Sequence, residues 1–256
     1  MNQTLTPDQI SDLAAIRKIC DEMGADVVVI GATALLLSIG DLGRFTRDVD
    51  LTVALDLSEF GQLIRRLLAT GWKQALRLEH RWVGPRQTLV DLLPAGPTLR
   101  RSGSILWPES QFRMSLSGFD HVFASAIEMD LSADVRIRVA PASVTALLKI
   151  IAYMDDPYRR AKDLQDIEII LGRYAAGSHR LFSDEVFDAE LPDFNMANAF
   201  LLGLDLRRLA TNEEVECVEQ FLERFMGSEE GLDAGDSGIG IFHGQIRALQ
   251  IGFNGR

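Results

Sequence analysis

Two aspartates that lie two residues apart give the first indication of chemistry in this sequence. Asp48 and Asp50 belong to the segment DVDLTVAL, whose alternation of polar and apolar residues predicts a β-strand. Alternate side chains of a strand point to the same side, so both carboxylates share one face, with Cα atoms about 6–7 Å apart. Carboxylates this close repel each other unless a cation lies between them, and magnesium is a hard divalent ion that prefers oxygen ligands. The alternative is two solvated acids at a strand edge, paired with Arg44 or Arg47.

A third acid and a glycine could complete such a site. Asp91 interrupts the apolar segment TLVDLLP, and a buried aspartate is costly unless it is paired or bound to a metal. If its strand neighbours the first one, three carboxylates converge; the alternatives are a cap or a salt bridge at a strand end. Gly31 follows the run VVVI and opens a short helix, where a phosphate could approach the backbone and the helix N-terminus. The alternative for Gly31 is a tight turn between strand and helix.

The hydrophobic periodicity predicts helices and strands in alternation, followed by helices alone. For the N-terminal part we predict helices at 8–23, 32–39 and 57–70, and strands at 27–30, 48–55, 75–83, 87–93, 125–130 and 135–140. Residues 94–108 are rich in Gly, Pro and Ser and are predicted to form a loop. Beyond Pro141 we predict helices at 142–154, 158–174, 193–209 and 212–226.

This order of elements predicts an α+β fold, in which a mixed β-sheet domain is followed by a helical domain. We expect residues 1–140 to form the catalytic domain and residues 141–226 to form the helical domain. Residues 227–256 are rich in glycine and are predicted to be an irregular tail. The active site is expected in the cleft between the two domains, where ligands commonly bind.

The composition indicates a globular protein without structural disulfides or a structural metal. Hydrophobic residues make up 47% of the chain, and Cys20 and Cys217 lack the spacing of a metal site or a redox pair. The net charge of −11 argues against nucleic-acid binding through bulk electrostatics, so we expect no DNA partner, while an RNA substrate would need a local basic patch. No segment has the character of a signal peptide or a membrane span, so we expect a cytoplasmic protein with no membrane partner.

Three motifs give the sequence a resemblance to a known superfamily. They are Gly31-Ala32, then Arg44-x-Thr46-x-Asp48-x-Asp50, and later Val90-Asp91-Leu92. In this order they resemble the polymerase-β-type nucleotidyltransferases, and within them the AbiEii-type nucleotidyltransferase toxins and their uncharacterised bacterial relatives. The segments APASVTALLKIIAY and RRAKDLQDIEIIL are also similar to the helical half of that group.

The resemblance implies a role for each matching residue. Asp48, Asp50 and Asp91 are implied to bind two magnesium ions, and Asp91 is in addition the candidate base for an acceptor hydroxyl. The residues implied to bind the nucleoside triphosphate are Gly31, Ala32, Thr33, Arg44, Thr46 and Lys149. The residues implied to support the site are Lys162, Asp163 and Asp166, of which the aspartates would orient Lys149 or an arginine. The alternative for Lys162 and Asp166 is an exposed pair on one helix face.

One position departs from the family pattern. Ala32 follows Gly31 where the family has serine, so a hydroxyl that contacts phosphate in the family is missing. Thr33 could supply a hydroxyl instead, and its alternative role is to cap the helix.

The function implied by the resemblance is magnesium-dependent transfer of a nucleoside monophosphate from a nucleoside triphosphate to an acceptor, with release of pyrophosphate. The likeness to the toxins implies an RNA end, tRNA especially, or a protein hydroxyl as acceptor, and a neutralising antitoxin as partner. Two alternatives remain open. A small-molecule enzyme of the aminoglycoside-modifying type would use the same carboxylates and suits the negative net charge. A nucleotidyltransferase-like binding module without turnover would account for the missing serine.

Overall fold

The computed structural model describes residues 5–40, 42–43, 46–76, 78–226 and 237–255. The chain divides into two compact units, Met1–Pro141 and Ala142–Arg256. This division lies one residue from the predicted end of the catalytic domain.

Helices and strands alternate through most of the N-terminal unit. In chain order they are α1 (Pro7–Glu22), β1 (Val27–Ile30), α2 (Gly31–Ile39), β2 (Asp48–Val53), α3 (Leu57–Ala69), β3 (Lys73–Gln74), β4 (Arg81–Val83), β5 (Leu89–Pro94), α4 (Pro97–Ser102), β6 (Ser104–Leu106), β7 (Arg113–Ser115), α5 (Phe119–Ser125), β8 (Ile127–Asp130) and β9 (Arg136–Val139).

Seven of these strands form one mixed sheet in the order β3-β4-β5-β2-β1-β9-β8, while β6 and β7 form a separate hairpin. β2 is the central strand of the seven. It pairs antiparallel with β1 and parallel with β5. Fully buried residues such as Val29, Leu51 and Val90 on these three strands form part of the core. The predicted α+β fold with a mixed sheet is confirmed.

Local sequence explains why α1 begins where it does. The Thr6 hydroxyl accepts a hydrogen bond from the Gln9 backbone N–H, and the Gln9 side chain accepts one from the Thr6 backbone N–H. This capping box satisfies two otherwise unpaired donors, and Pro7 suits the first helical position.

The prediction of a loop over residues 94–108 is wrong, because α4 and β6 lie within it. The start of α4 is stabilised from a distance: the Asp56 carboxylate accepts hydrogen bonds from the backbone N–H groups of Thr98 and Leu99, both at 3.0 Å. Gly96 allows this approach, since an added Cβ would overlap the backbone of Asp56. The local signal for this start is Pro97 at the beginning of the helix, whereas the capping side chain comes from residue 56.

Within the described residues, every regular element of the C-terminal unit is a helix. They are α6 (Ala142–Asp155), α7 (Ala161–Arg173), a 3-10 helix (His179–Phe182), α8 (Asp184–Phe187), a second 3-10 helix (Phe194–Met196), α9 (Ala197–Leu209), α10 (Asn212–Met226) and α11 (Ser237–Phe253).

The prediction of an irregular tail is wrong for the part that forms α11; residues 227–236 lie outside the described residues. The glycines of the tail indicated irregular structure, but Gly252 of the tail and Gly203 of α9 let the two helices α9 and α11 come close together. A Cβ added to Gly252 of α11 would overlap the carbonyl oxygen of Phe200, and one added to Gly203 of α9 would overlap that of Leu249. Glycine therefore serves here to let two helix backbones approach closely.

Asp205 of α9 is the centre of an ion-pair network in the C-terminal unit. Its carboxylate accepts hydrogen bonds from Arg180 at 2.6 and 3.0 Å and from the Tyr174 hydroxyl at 2.5 Å. Burial acts to raise the pKa of Asp205, but these hydrogen bonds outweigh it and hold the pKa below its ordinary value.

Two further sequence expectations concern cysteines and membranes. Cys20 and Cys217 are both free thiols, and burial raises the pKa of Cys20 to about 12, so it is an inert core residue. None of the helices in the described part of the chain combines the length and the apolar character of a membrane span.

Candidate active site

The three predicted carboxylates lie on two neighbouring strands. Asp50 of β2 is in register with Asp91 of β5, and Asp48 lies two residues before Asp50 on the same side of β2. Val49 and Leu51, which alternate with the two aspartates, are fully buried, whereas both aspartates are partly exposed. The condition set by the sequence, that the strand of Asp91 should neighbour the strand of the DVD motif, is therefore met.

A guanidinium group joins two of these carboxylates. Arg81 of β4 donates from Nε to Asp91 Oδ1 at 2.7 Å and from Nη2 to Asp91 Oδ2 at 2.7 Å. The same Nη2 donates to Asp48 Oδ2 at 2.9 Å. Hydrogen bonding to Asp91 is the largest cause that raises the pKa of Arg81 above its ordinary value, and the negative charges of Asp91, Asp48 and Asp50 act in the same direction. Arg81 is therefore a permanent positive charge among the three acids.

The carboxylate of Asp50 lies in space that is free only because residue 31, the first residue of α2, is a glycine. Ile30, the residue before Gly31, is in register with Asp50 across β1 and β2, so the start of α2 lies beside the carboxylate. A Cβ added to Gly31 would overlap Asp50 Oδ2 and lie 2.9 Å from its Cγ. Gly31 also has a φ of +65°, a conformation that favours glycine. The structure thus adds a second reason for glycine here, besides the approach of a phosphate.

The three carboxylates fit a hard divalent cation in their chemistry, since they are oxygen donors on adjacent strands and already surround a positive group. Among the described residues, however, no three His, Cys, Asp or Glu side chains are grouped so that they could hold a metal ion together. Oxygen atoms of Asp48 and Asp91 are engaged by Arg81 in this conformation. The assignment of Asp48, Asp50 and Asp91 as metal ligands therefore stays a prediction.

The predicted nucleotide-binding residues near α2 differ in their surroundings. The Thr33 side chain is buried, and its hydroxyl donates to the backbone carbonyl of Asp48 at 3.3 Å. It makes no side-chain cap at the start of α2, so the capping alternative is wrong. Ala32 is partly exposed in the first turn of α2. Thr46 Oγ1 is buried without a hydrogen-bond partner among the described residues, and Arg44 lies outside them.

Lys149 of α6 is held by two acids of α7. Its ammonium group lies 2.8 Å from Asp163 Oδ1 and 2.6 Å from Asp166 Oδ2. Asp166 is 2% exposed and Lys149 is 8% exposed, so this is a buried ion-pair cluster. The alternative of an exposed pair between Lys162 and Asp166 is wrong, because Asp166 is buried against Lys149 while Lys162 is exposed. Asp163 and Asp166 thus restrict the position of Lys149, and their role in supporting a nucleotide site stays a prediction.

Sequence reasoning missed Arg81, the residue that organises the carboxylates. The sequence shows only that Arg81 and Asp91 lie on two predicted strands on either side of Gly84-Pro85. In the structure β4 and β5 pair with Val83 opposite Leu89, which brings Arg81 opposite Asp91. A turn of two residues at Gly84-Pro85 would have paired other residues, and the sequence does not reveal the longer loop.

The amino-acid sequence as a whole supplies the assignment to a family. It matches the family model for the nucleotidyl transferase AbiEii toxin of type IV toxin–antitoxin systems over residues 17–230, which is more than half of the chain. The chain belongs to the AbiEii family. The expected resemblance is thus confirmed, and this AbiEii protein is a nucleotidyltransferase. A comparison with curated proteins gives no match.

Several solved structures are similar to this AbiEii protein at low sequence identity. The solution structure of the antibiotic-resistance factor ANT(2'')-Ia is 15% identical with a TM-score of 0.43, over 64% of this chain and 83% of that one. An antigenic nucleotidyltransferase-like protein from Paracoccidioides brasiliensis is 17% identical with a TM-score of 0.43, over 66% and 78%. JHP933 from Helicobacter pylori is 14% identical with a TM-score of 0.39, over 98% and 94%. These TM-scores are low, so the family assignment rests on the sequence match.

Proposed function

We propose that this nucleotidyltransferase transfers a nucleoside monophosphate from a nucleoside triphosphate to an acceptor hydroxyl in a magnesium-dependent reaction. The observation that carries the proposal is the placement of Asp48, Asp50 and Asp91 on neighbouring strands around a positive charge. Transfer to a phosphorus centre needs positioning and charge compensation rather than a protein nucleophile. A cluster of carboxylates that attracts cations supplies that compensation.

The residues of the site would orient the reactants and accept a proton. The acceptor oxygen attacks the α-phosphorus, the bond from that phosphorus to the bridging oxygen breaks, and pyrophosphate leaves with the electron pair. Asp91 is our candidate for the base that takes the hydroxyl proton, because the family resemblance gives that role to the third carboxylate. Magnesium bound by the three carboxylates would stabilise the attacking and leaving oxygens.

The triphosphate would bind at the start of α2. A helix N-terminus attracts anions, and the first turn of α2 carries no acidic residue of its own. The buried hydroxyl of Thr46 supports a ligand nearby, because it has no hydrogen-bond partner among the described residues. Lys149 is our candidate for a contact with phosphate by the family resemblance, and its two aspartates restrict the position of its ammonium group.

The family and the net charge of the chain each favour a class of acceptor. Membership of a toxin family supports an RNA end or a protein hydroxyl as acceptor and an antitoxin as partner. The net charge of −11 favours a second candidate, a cationic small molecule, since a negatively charged protein attracts a positive acceptor more than it attracts RNA.

The experiment follows the label of an α-phosphate-labelled nucleoside triphosphate. The protein is incubated with each triphosphate, magnesium and, in turn, total RNA, a protein extract or an aminoglycoside. We expect label on one acceptor with the wild type and none with Asp50→Asn, which keeps the side-chain shape but removes the charge. Asp134→Asn, at an exposed position before β9, is the matched control and keeps full activity.

Transfer that survives in Asp50→Asn would contradict the assignment of the carboxylates. Binding of a triphosphate without transfer to any acceptor would instead support a binding module and contradict the proposed reaction.

A further inference from the structure

A fully buried aspartate, Asp12 of α1, contacts the turn between β4 and β5. Its Oδ2 accepts a hydrogen bond from the backbone N–H of Arg86 at 3.2 Å, and its Oδ1 lies 3.5 Å from Nη1 of the same residue. Burial of a carboxylate is costly unless the group is paired or hydrogen-bonded. The Asp12 side chain is therefore tied to the backbone of the turn, and Arg86 supplies its counter-charge.

The turn packs closely against this carboxylate. A Cβ added to Gly84 would overlap Asp12 Oδ2 and lie 2.7 Å from its Cγ. The φ of Gly84 is not positive, so the backbone conformation alone does not require glycine there. The absence of a side chain at residue 84 therefore lets the turn approach α1.

The observed turn is not the one that its own residues favour. Gly84-Pro85 predicts a short connection, whereas residues 84–88 join β4 to β5. Within this longer turn Gln87 has a φ of +66°, which is unfavourable for a residue other than glycine. A contact from outside the hairpin, such as the hydrogen bond to Asp12, offsets this cost.

The turn decides which residue faces Asp91. β4 has only three residues, and its first residue, Arg81, pairs with Asp91. A shift of two residues between β4 and β5 would keep Trp82 on its buried face, because side chains of a strand alternate with a period of two. It would, however, place Leu89 or Leu93 opposite Arg81. Burial alone therefore does not select the observed pairing, and the length of the turn does.

We propose that Asp12 is a positioning residue of the candidate active site. By holding the turn 84–88 it sets the register of β4 on β5, and it so places the Arg81 guanidinium on the carboxylates of Asp91 and Asp48. The role rests on the proposed function, in which these carboxylates are catalytic. Asp12 acts through Arg81, which lies at the other end of the three-residue strand β4.

The test observes Arg81 directly, by the NMR signal of its Nε–H group in protein labelled with ¹⁵N-arginine. Arg81→Lys identifies the signal by removing it. In the wild type we expect slow exchange of this proton with water, because it donates to Asp91 Oδ1 at 2.7 Å. Asp12→Leu keeps a side chain of similar volume but removes the acceptor for Arg86, and we expect it to accelerate the exchange by about tenfold or more.

Three further variants separate positioning from a general effect on the fold. Asp12→Asn retains an oxygen that accepts the Arg86 N–H, so the Arg81 signal should remain as in the wild type. Asp21→Leu makes the same change at an exposed position of α1 and should also leave the signal unchanged. Gly84→Ala tests the contact from the other side, because its Cβ overlaps the Asp12 carboxylate, and it should accelerate exchange as Asp12→Leu does.

An Arg81 signal that is unchanged in both Asp12→Leu and Gly84→Ala would overturn the inference. Equal acceleration in Asp12→Leu, Asp12→Asn and Asp21→Leu would overturn it as well, since the effect would then not depend on the acceptor for Arg86.

Transfer activity separates this role from the function on which it rests. Asp12→Leu should lower kcat by about tenfold to a hundredfold with little change in the KM for the triphosphate, because reacting groups are displaced rather than removed. An unchanged kcat together with an altered Arg81 signal would contradict a role of Asp12 in the reaction. A wild type without any transfer would overturn the proposed function, while the Arg81 signal still decides whether Asp12 sets the register.

Discussion

Substitution of Gly31 by alanine tests the contact between the start of α2 and the carboxylate of Asp50. The substitution has two separate costs in the structure. An alanine at a φ of +65° is strained by about 1–2 kcal/mol, and the added Cβ overlaps Asp50 Oδ2 and lies 2.9 Å from Cγ. Overpacking of this kind adds about 1–3 kcal/mol, so we expect a total destabilisation of about 2–5 kcal/mol.

The chain offers a matched control for the backbone strain. Gly24 has the same φ of +65°, and a Cβ added there meets no atom within 4 Å. Gly24→Ala should therefore cost only about 1–2 kcal/mol. Asp50→Ala removes the overlapped atoms and leaves its own Cβ 3.1 Å from the new methyl group. In that background Gly31→Ala should also cost only about 1–2 kcal/mol, which gives a coupling of about 1–3 kcal/mol.

Urea unfolding followed by tryptophan fluorescence measures these free energies for the N-terminal unit specifically. The protein has three tryptophans, Trp72, Trp82 and Trp107, and all three are buried in that unit. A Gly31→Ala variant that is no less stable than Gly24→Ala, or that loses as much stability in the Asp50→Ala background as in the wild type, would refute the steric argument.

Three further predictions concern the C-terminal unit, whose unfolding can be followed by circular dichroism. Lys149→Met should destabilise it by about 3–5 kcal/mol, because buried Asp166 loses its partner lysine, and Asp166→Asn in the same chain should recover part of the loss. Gly252→Ala should destabilise the contact of α11 with α9, whereas Gly240→Ala, which meets no atom within 4 Å, should stabilise the same helix by up to about 1 kcal/mol; equal effects would contradict the close-packing role. Since the pKa of Asp205 is lowered in the folded state, its stabilising contribution is complete above the ordinary aspartate pKa of about 4 and is lost as the pH falls through the lowered value. Asp205→Asn should remove this part of the acid dependence of the urea midpoint, and an unchanged dependence would contradict it.

Elements with a strong periodic pattern were predictable from the sequence, and the mixed sheet was correctly expected. β1 is a run of four buried β-branched residues, and α1 carries a capping signal in its own sequence. Elements fixed by distant contacts were not predictable. α4 is capped by Asp56, about forty residues earlier in the chain, and α11 contains glycines whose role depends on the backbone of α9. In both cases, the deciding partner is far away in sequence.

The candidate site was likewise predictable where local sequence determines it and not where distant contacts do. The spacing of Asp48 and Asp50 fixes their common face, because the strand period is two. The pairing of Asp91 with Arg81 could not be read from the sequence, because a shift of the β4–β5 register would place a different residue opposite Asp91. Lys149 was recognisable as an unusual charge in an apolar helix, whereas its two carboxylate contacts depend on the packing of α6 against α7.

β2 has three strands on each side, and this position protects the geometry of the site. The free energy of local opening rises from the frayed edges of a sheet towards its centre. Amide hydrogens of β2 should therefore exchange with deuterium only when the whole N-terminal unit unfolds, while those of the two-residue edge strand β3 should exchange through local opening. The spacing of Asp48 and Asp50 then persists through every fluctuation short of global unfolding, and motion in the site is left to side chains.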